Sequence, residues 1–253
     1  MSMQTGLPTG QTSVPKNLNG YFDSTLLKPE ATGEQIIKLC REAAANGFFA
    51  VCINPCRVGA AKTALSQCKT RSILRSDLKS DLRPEVKIAT VIGFPLGAST
   101  TAAKVFETER AIRDGADEID MVINLGLLKD KKYAEVSDDI AAVVCVATKY
   151  GAIVKVILET CLLTDDEIQK ACILSRKAGA AFVKTSTGFS TGGATTHAVK
   201  LMKQTVGDSM RIKASGGIRN LKTAIEMIDA GADRLGCSSC AGIIREAMSY
   251  LPK

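Results

Sequence analysis

The chain has 253 residues, of which 45% are hydrophobic, 23% charged and only 4% aromatic, with no tryptophan. That length supplies one large core, and α/β barrels reach ~250 residues as a single domain. The net charge of +7 favours anionic ligands, while the scarcity of aromatics argues against a base-stacking nucleic-acid surface, and no apolar run approaches the ~18 residues of a membrane span.

Residues 1–17 are polar, with one basic residue and no apolar stretch, so a signal or transit peptide is disfavoured and a disordered leader is expected. Residues 18–253 are expected to form one barrel domain. Eight short β-rich runs lie near 21–26, 48–53, 86–92, 117–123, 152–158, 181–186, 211–215 and 233–238. Most intervals between them read as helix. The spacing predicts helices over 34–45, 100–113, 165–178 and 221–230, each closing on a glycine that turns into the next strand. The phrase recurs as Asp114-Gly115-Ala116-Asp117, Ala178-Gly179-Ala180-Ala181 and Ala230-Gly231-Ala232-Asp233. Alternating strand and helix without hairpins implies a parallel sheet. Eight such units fit a closed (β/α)8 TIM barrel, with an open Rossmann-like or flavodoxin-like sheet as the alternative. One stretch breaks the rhythm: Arg71, Arg75, Lys79 and Arg83 form a basic stripe, with Leu74, Leu78 and Leu82 on another. An amphipathic helix with a solvated basic face is expected there, a phosphate or nucleic-acid patch being the alternative.

Three lysines occupy apolar, β-branched runs at equal intervals of 29 residues: Lys155, Lys184 and Lys213. On successive parallel strands they converge, and burial with mutual repulsion is expected to lower a lysine pKa and make a neutral, nucleophilic amine. The alternative is a set of ion-paired core lysines. Strand alternation sends Asp23 and Thr25, Cys52, Glu118 and Asp120 to the same interior. Strands six to eight run into small, glycine-rich loops containing Gly188, Gly192 and Gly193, then Gly216 and Gly217, then Ser238 and Ser239. Backbone amides crowd there as in a barrel phosphate site. Metal chemistry finds little support. His197 is the only histidine and reads as a surface or cap residue. The nine cysteines read as reduced thiols, and Cys237 and Cys240 as incidental packing rather than zinc ligands.

Phe182-Val183-Lys184-Thr185-Ser186-Thr187-Gly188, Ile212-Lys213-Ala214-Ser215-Gly216-Gly217, Glu118-Ile119-Asp120 and Asp23-Ser24-Thr25-Leu26 resemble the deoxyribose-phosphate aldolase family, in order, over about residues 20–245. The resemblance implies a class I aldolase on a TIM barrel, and the reduced thiols a cytoplasmic location. Such an enzyme reversibly cleaves the phosphosugar 2-deoxy-D-ribose 5-phosphate into acetaldehyde and D-glyceraldehyde 3-phosphate, with no metal or other cofactor. By position, Lys184 would form the Schiff base, Lys213 would lower its pKa, and Asp120 would work with Lys213 and water in proton transfer. Asp23, Thr25, Cys52 and Thr187 would line the substrate pocket, and Gly188, Gly216, Gly217, Ser238 and Ser239 would hold the phosphate. A homodimer or homotetramer is the expected assembly, with no nucleic-acid or membrane partner. Two positions depart from some bacterial members: Phe189 stands where they carry lysine, and the chain ends Tyr250-Leu251-Pro252-Lys253 instead of in a serine-rich tail with terminal tyrosine. A pyridoxal-phosphate enzyme and a non-catalytic phosphosugar-binding barrel are the rival readings; visible absorbance above the protein band would mark the first.

Overall fold

The computed structural model describes residues 14–75 and 85–250. Eight parallel strands close into a barrel in sequence order: β1 (Phe22–Leu26), β2 (Ala50–Ile53), β3 (Lys87–Ile92), β4 (Glu118–Val122), β5 (Ile153–Ile157), β6 (Phe182–Lys184), β7 (Arg211–Ser215) and β8 (Arg234–Cys237). β8 returns to β1 through the Phe22↔Leu235 and Asp23↔Gly236 pairs, so no edge is left open. The expected strands all form, shorter by one to three residues in most cases. The open-sheet alternative is excluded by that closure.

Around the barrel run α1 (Gly33–Asn46), α2 (Val58–Arg75), α3 (Thr101–Arg113), a short α4 (Leu125–Lys129), α5 (Tyr133–Lys149), α6 (Asp165–Lys177), α7 (Thr196–Val206), α8 (Leu221–Asp229) and α9 (Cys240–Met248). Their ends follow local chemistry. Thr32 and Gln35 form a capping box at α1, whose last turn closes on Gly47 at φ 65°, the left-handed position glycine takes without a Cβ penalty. α6 opens with the Thr164–Glu167 capping box and three acidic residues, and ends on Arg176 and Lys177, a charge order that complements the helix dipole. The basic stripe of residues 71–83 falls where side chains lie outside the described residues. Among the described residues no helix is long and apolar enough to cross a membrane.

The main core lies between strands and helices, where outward side chains of the strands, such as Val154, Val156, Val183, Ile212 and Leu235, meet the apolar helix faces. Phe22 and Phe48 meet edge to face at 5.7 Å near the start of β1. That layer also holds a buried ion pair absent from the sequence expectations: Lys104 of α3 reaches Asp139 of α5 at 2.6 Å and the Val122 carbonyl at 3.0 Å. Thr101 donates to the same carboxylate, so the pair is satisfied as buried charges must be. It braces the end of β4 two residues beyond Asp120. Inside the barrel Leu27, Cys52, Ala89 and Val91 form a small apolar cluster, and Phe182 lies buried against Lys155 and Arg234. Charged side chains share this interior, where barrels built only for stability carry branched aliphatics.

Candidate active site

Strand alternation delivers the cluster to the barrel axis. Asp120 of β4 is its hub. Its Oδ1 accepts from Lys155 at 2.7 Å, and its Oδ2 accepts from both Lys184, at 2.9 Å, and Lys213, at 2.7 Å. Lys155 also pairs with Glu118 at 2.6 Å, and Lys213 donates to Asp23. Arg234 completes the network, bonding Asp23 at 2.8 Å and Glu118 at 3.4 Å while its guanidinium lies 3.4 Å from the centre of the Phe49 ring. Gly236 makes room for this arrangement, since a Cβ there would stand 3.1 Å from the Lys213 side chain and 3.0 Å from that of Ser215.

The charges are fixed by one another. Burial alone would raise the Asp23 carboxyl, but Lys213, Lys155 and Arg234 outweigh it and hold the group at about 2. Asp120 is likewise pushed up by burial and drawn well below the usual carboxylate range by Lys155, Lys184 and Lys213. For Lys213 and Lys155 the expected direction is reversed. Burial favours their neutral forms, yet Asp120 with Asp23 holds Lys213 well above the ordinary lysine value, and Asp120 with Glu118 raises Lys155. Burial and mutual repulsion, the basis of the sequence expectation, are overcome because these two lysines face carboxylates at hydrogen-bond distance. These two are therefore standing cations. Burial pushes the Cys52 thiol up, 3.9 Å from Asp120 Oδ2, so it packs beside the cluster as a neutral group.

A pH dependence follows from the carboxylates. A group whose folded pKa is depressed contributes stability above its unfolded value, here an ordinary 3.8 for Asp23, and loses it as pH falls through the folded value of about 2. Urea midpoints are therefore expected to hold down to about pH 4 and to fall steeply toward pH 2. A midpoint that collapses well above pH 4 would show that the cluster does not govern acid stability.

The small loops gather at the carboxyl ends of the strands. Gly193 and Gly216 touch backbone to backbone: a Cβ on Gly193 would lie 2.3 Å from the Gly216 carbonyl oxygen, and Gly216 itself sits at φ 86°. The Ala194 amide donates to that same carbonyl. Gly188 packs beside Gly216, and Gly217 is exposed at φ 81°. Ser238 follows directly on β8 and is exposed. Ser239 is the N-cap of α9 and makes no side-chain cap bond, so first-turn amides of a nine-residue helix face this rim. A groove of about 280 Å³ lined by Thr25, Lys28, Lys38 and Ser238 opens next to it.

The expected residues fall into two tiers. Asp23, Cys52, Asp120, Lys184 and Lys213 meet at the axis, while Gly188, Gly216, Gly217, Ser238 and Ser239 form the rim above. Thr25 lies between them, its hydroxyl donating to the Asp23 carbonyl at 2.9 Å. Thr187 is held by a protein partner. Its N–H and its O–H both go to the buried Glu159 carboxylate, which leaves it no donor for a substrate. Arg234 and Glu159 had no place among the sequence candidates, and Glu118 and Lys155 were noticed without being assigned to the site. A charge inside a β-run was the available signal for Arg234; its partners on β1 and β4 were not readable. Phe189, in the lysine position, is half exposed and stacks edge to face on Phe94 at 5.2 Å, so no cation is added to the rim there. His197 is exposed and bonds Asp165 at 2.9 Å. Cys237 and Cys240 are buried in mutual contact at the β8–α9 turn.

A family model described as DeoC/LacD family aldolase matches residues 20–244. The deoxyribose-phosphate aldolase of Thermococcus kodakarensis is 56% identical over 227 residues, covering 90% of this chain and 95% of that one. The deoxyribose-phosphate aldolase of Clostridium tetani is 53% identical, covering 90% and 97%. Among solved structures, the tetrameric deoxyribose phosphate aldolase from Aeropyrum pernix superimposes with a TM-score of 0.81 at 34% identity, covering 92% of each chain. The aldolase QR15 does so with a TM-score of 0.82 at 38% identity, covering 93% of this chain and 97% of its own.

Proposed function

The chain belongs to the DeoC/LacD family of aldolases and is a lyase; from that premise we propose that Lys184 is the amine through which it reversibly cleaves 2-deoxy-D-ribose 5-phosphate into acetaldehyde and D-glyceraldehyde 3-phosphate. The observation that carries the assignment is the pairing on the axis, where Lys155, Lys184, Lys213 and Arg234 converge on three carboxylates, Asp23, Glu118 and Asp120. Lys184 is the least tied of the three lysines. It pairs with a single carboxylate, and its side chain is 3% exposed where those of Lys155 and Lys213 are 0%.

The neutral amine adds to the sugar aldehyde, water leaves, and the resulting iminium accepts the electron pair of the C2–C3 bond as the C3 hydroxyl loses its proton. Glyceraldehyde 3-phosphate departs. The enamine left on Lys184 is then protonated at carbon, and hydrolysis frees acetaldehyde. Asp120 and Lys213, joined at one oxygen, are the charged pair that moves these protons with a water. Asp23 keeps Lys213 in place, and Thr25 and Cys52 border the space around the substrate carbons. The phosphate sits over the Gly188, Gly216 and Gly217 amides, with Ser238, Ser239 and the N-terminus of α9 as its far wall, where dipole and orphan N–H groups favour an anion. A cytoplasmic location and assembly as a homodimer or homotetramer complete the proposal, the latter supported by the tetrameric Aeropyrum pernix neighbour.

Borohydride reduction in the presence of acetaldehyde, followed by peptide mass spectrometry, tests the assignment. An ethyl group is expected on Lys184, and one found only on Lys155 or Lys213 would move the nucleophile. Ser239→Glu separately tests the phosphate seat. Placing a carboxylate on the rim is expected to raise KM for the phosphorylated sugar by ~10-fold or more while changing KM for 2-deoxyribose little. Equal effects on both sugars would put the phosphate elsewhere.

A further inference from the structure

Glu159 is disfavoured by its local sequence context in two ways. It sits just past β5 in the left-handed region, at φ 56° and ψ 61°, where glycine is the ordinary choice and another residue persists only if its surroundings over-determine it. Its carboxylate is also buried at 3% exposure, and its hydrogen bonds come from Thr187 and the Cys161 thiol rather than from a cation. A side chain held at that position must act through what it touches.

What it touches is the turn at the end of β6. Glu159 accepts the Thr187 N–H at 3.2 Å and the Thr187 hydroxyl. The same Thr187 oxygen then accepts the Phe189 N–H at 3.1 Å, which closes the turn around Gly188. The neighbouring Thr160 N–H ties to the Thr185 carbonyl at 2.9 Å, and a Cβ on Gly192 would stand 2.8 Å from the Cys161 side chain. The loop after β6 is thus held on one side by residues 159–161 and on the other by Gly216. With Thr187 locked to Glu159, the direction of the Gly188 turn at the rim is set from below.

We infer that Glu159 is a positioning residue which, through Thr187, fixes the Gly188 turn in the orientation that receives the substrate phosphate. This rests on the phosphate seat proposed above. Glu159 does not touch substrate. Its contribution is preorganisation, so its loss weakens binding of the phosphorylated end and spares the chemistry at Lys184.

The test uses Glu159→Gly and Glu159→Gln in the full chain, with KM and kcat measured on 2-deoxyribose 5-phosphate and on 2-deoxyribose. Glycine suits the backbone angles, so a merely structural role would be rescued by it. The expected result is a folded Glu159→Gly protein whose KM for the phosphorylated sugar rises about 10-fold, the loss of a charge-assisted hydrogen-bond pair, with kcat and the KM for 2-deoxyribose within about twofold of the parent. Glu159→Gln keeps one acceptor and is expected to show a smaller rise confined to the phosphorylated sugar. Parental KM values in Glu159→Gly, or equal rises on both sugars, would overturn the inference. If Glu159→Gly does not fold, Glu159→Gln decides in the same way: a rise confined to the phosphorylated sugar supports the role, and an unchanged KM or an equal rise on both sugars overturns it. A parent protein that does not cleave 2-deoxyribose 5-phosphate would overturn the functional reading itself, an outcome distinct from either.

Discussion

Lys184→Leu is expected to lower turnover by roughly 10⁴-fold or more, because without the amine there is no iminium to accept the electrons of the breaking carbon–carbon bond. The same change is expected to leave the fold as stable as the parent or more so. The variant keeps Lys155, Lys213 and Arg234 against Asp23, Glu118 and Asp120, and Asp120 keeps two of its three lysines. Leucine in turn fills the space with apolar volume, as barrel interiors usually do. Steady-state cleavage assays and urea midpoints on one preparation measure both effects. A variant that retains activity would remove Lys184 from the mechanism, and one that fails to fold would make its ion pair structural.

Asp120→Asn is expected to do damage of a different kind. Three lysines share that carboxylate, and its neutralisation leaves Lys155, Lys213 and Arg234 facing only Asp23 and Glu118. Breaking a buried pair this way costs about 3–5 kcal/mol, which appears as a lower urea midpoint. Activity is expected to fall by about 10²- to 10⁴-fold, the range for loss of a positioned acid–base group. The loss divides unequally between steps. Trapping of acetaldehyde on Lys184 survives better than exchange of the acetaldehyde methyl protons in deuterated water, because the carbon acid needs the base and imine formation needs it less. Equal loss of both would make Asp120 a structural carboxylate only.

The contrast between these two variants marks where sequence reading succeeds and where it stops. The eight strands were legible because alternation, β-branched runs and glycine helix ends are local signals. The observed β7, Arg211–Ser215, coincides with the expected run, and β5 is shorter by one residue at each end. Lys155, Lys184 and Lys213 stood out for a similar reason, since an ammonium in a run such as Ile-Val-Lys-Val-Ile is costly wherever that run is buried. The glycines at 188, 216 and 217 announced a rim of exposed amides, though not which of their neighbours would hold it in place.

The direction of the pKa shifts was not legible. It turns on whether a buried lysine meets carboxylates or other lysines first, and Lys213 meets Asp23, 190 residues away, only because β8 closes on β1. Arg234 finds Asp23 and Glu118 across the same closure. The bond from Thr187 to Glu159 was not legible either, because nothing in Thr-Ser-Thr-Gly reveals a glutamate from the preceding unit beneath it. By itself the sequence determined the barrel, the candidate amine and the glycine rim, all set by the periodicity of neighbouring residues. The tertiary structure alone decided which charges neutralise one another and which donors remain free, because Coulomb energy and hydrogen bonds act over a few ångströms in space, whatever the separation along the chain.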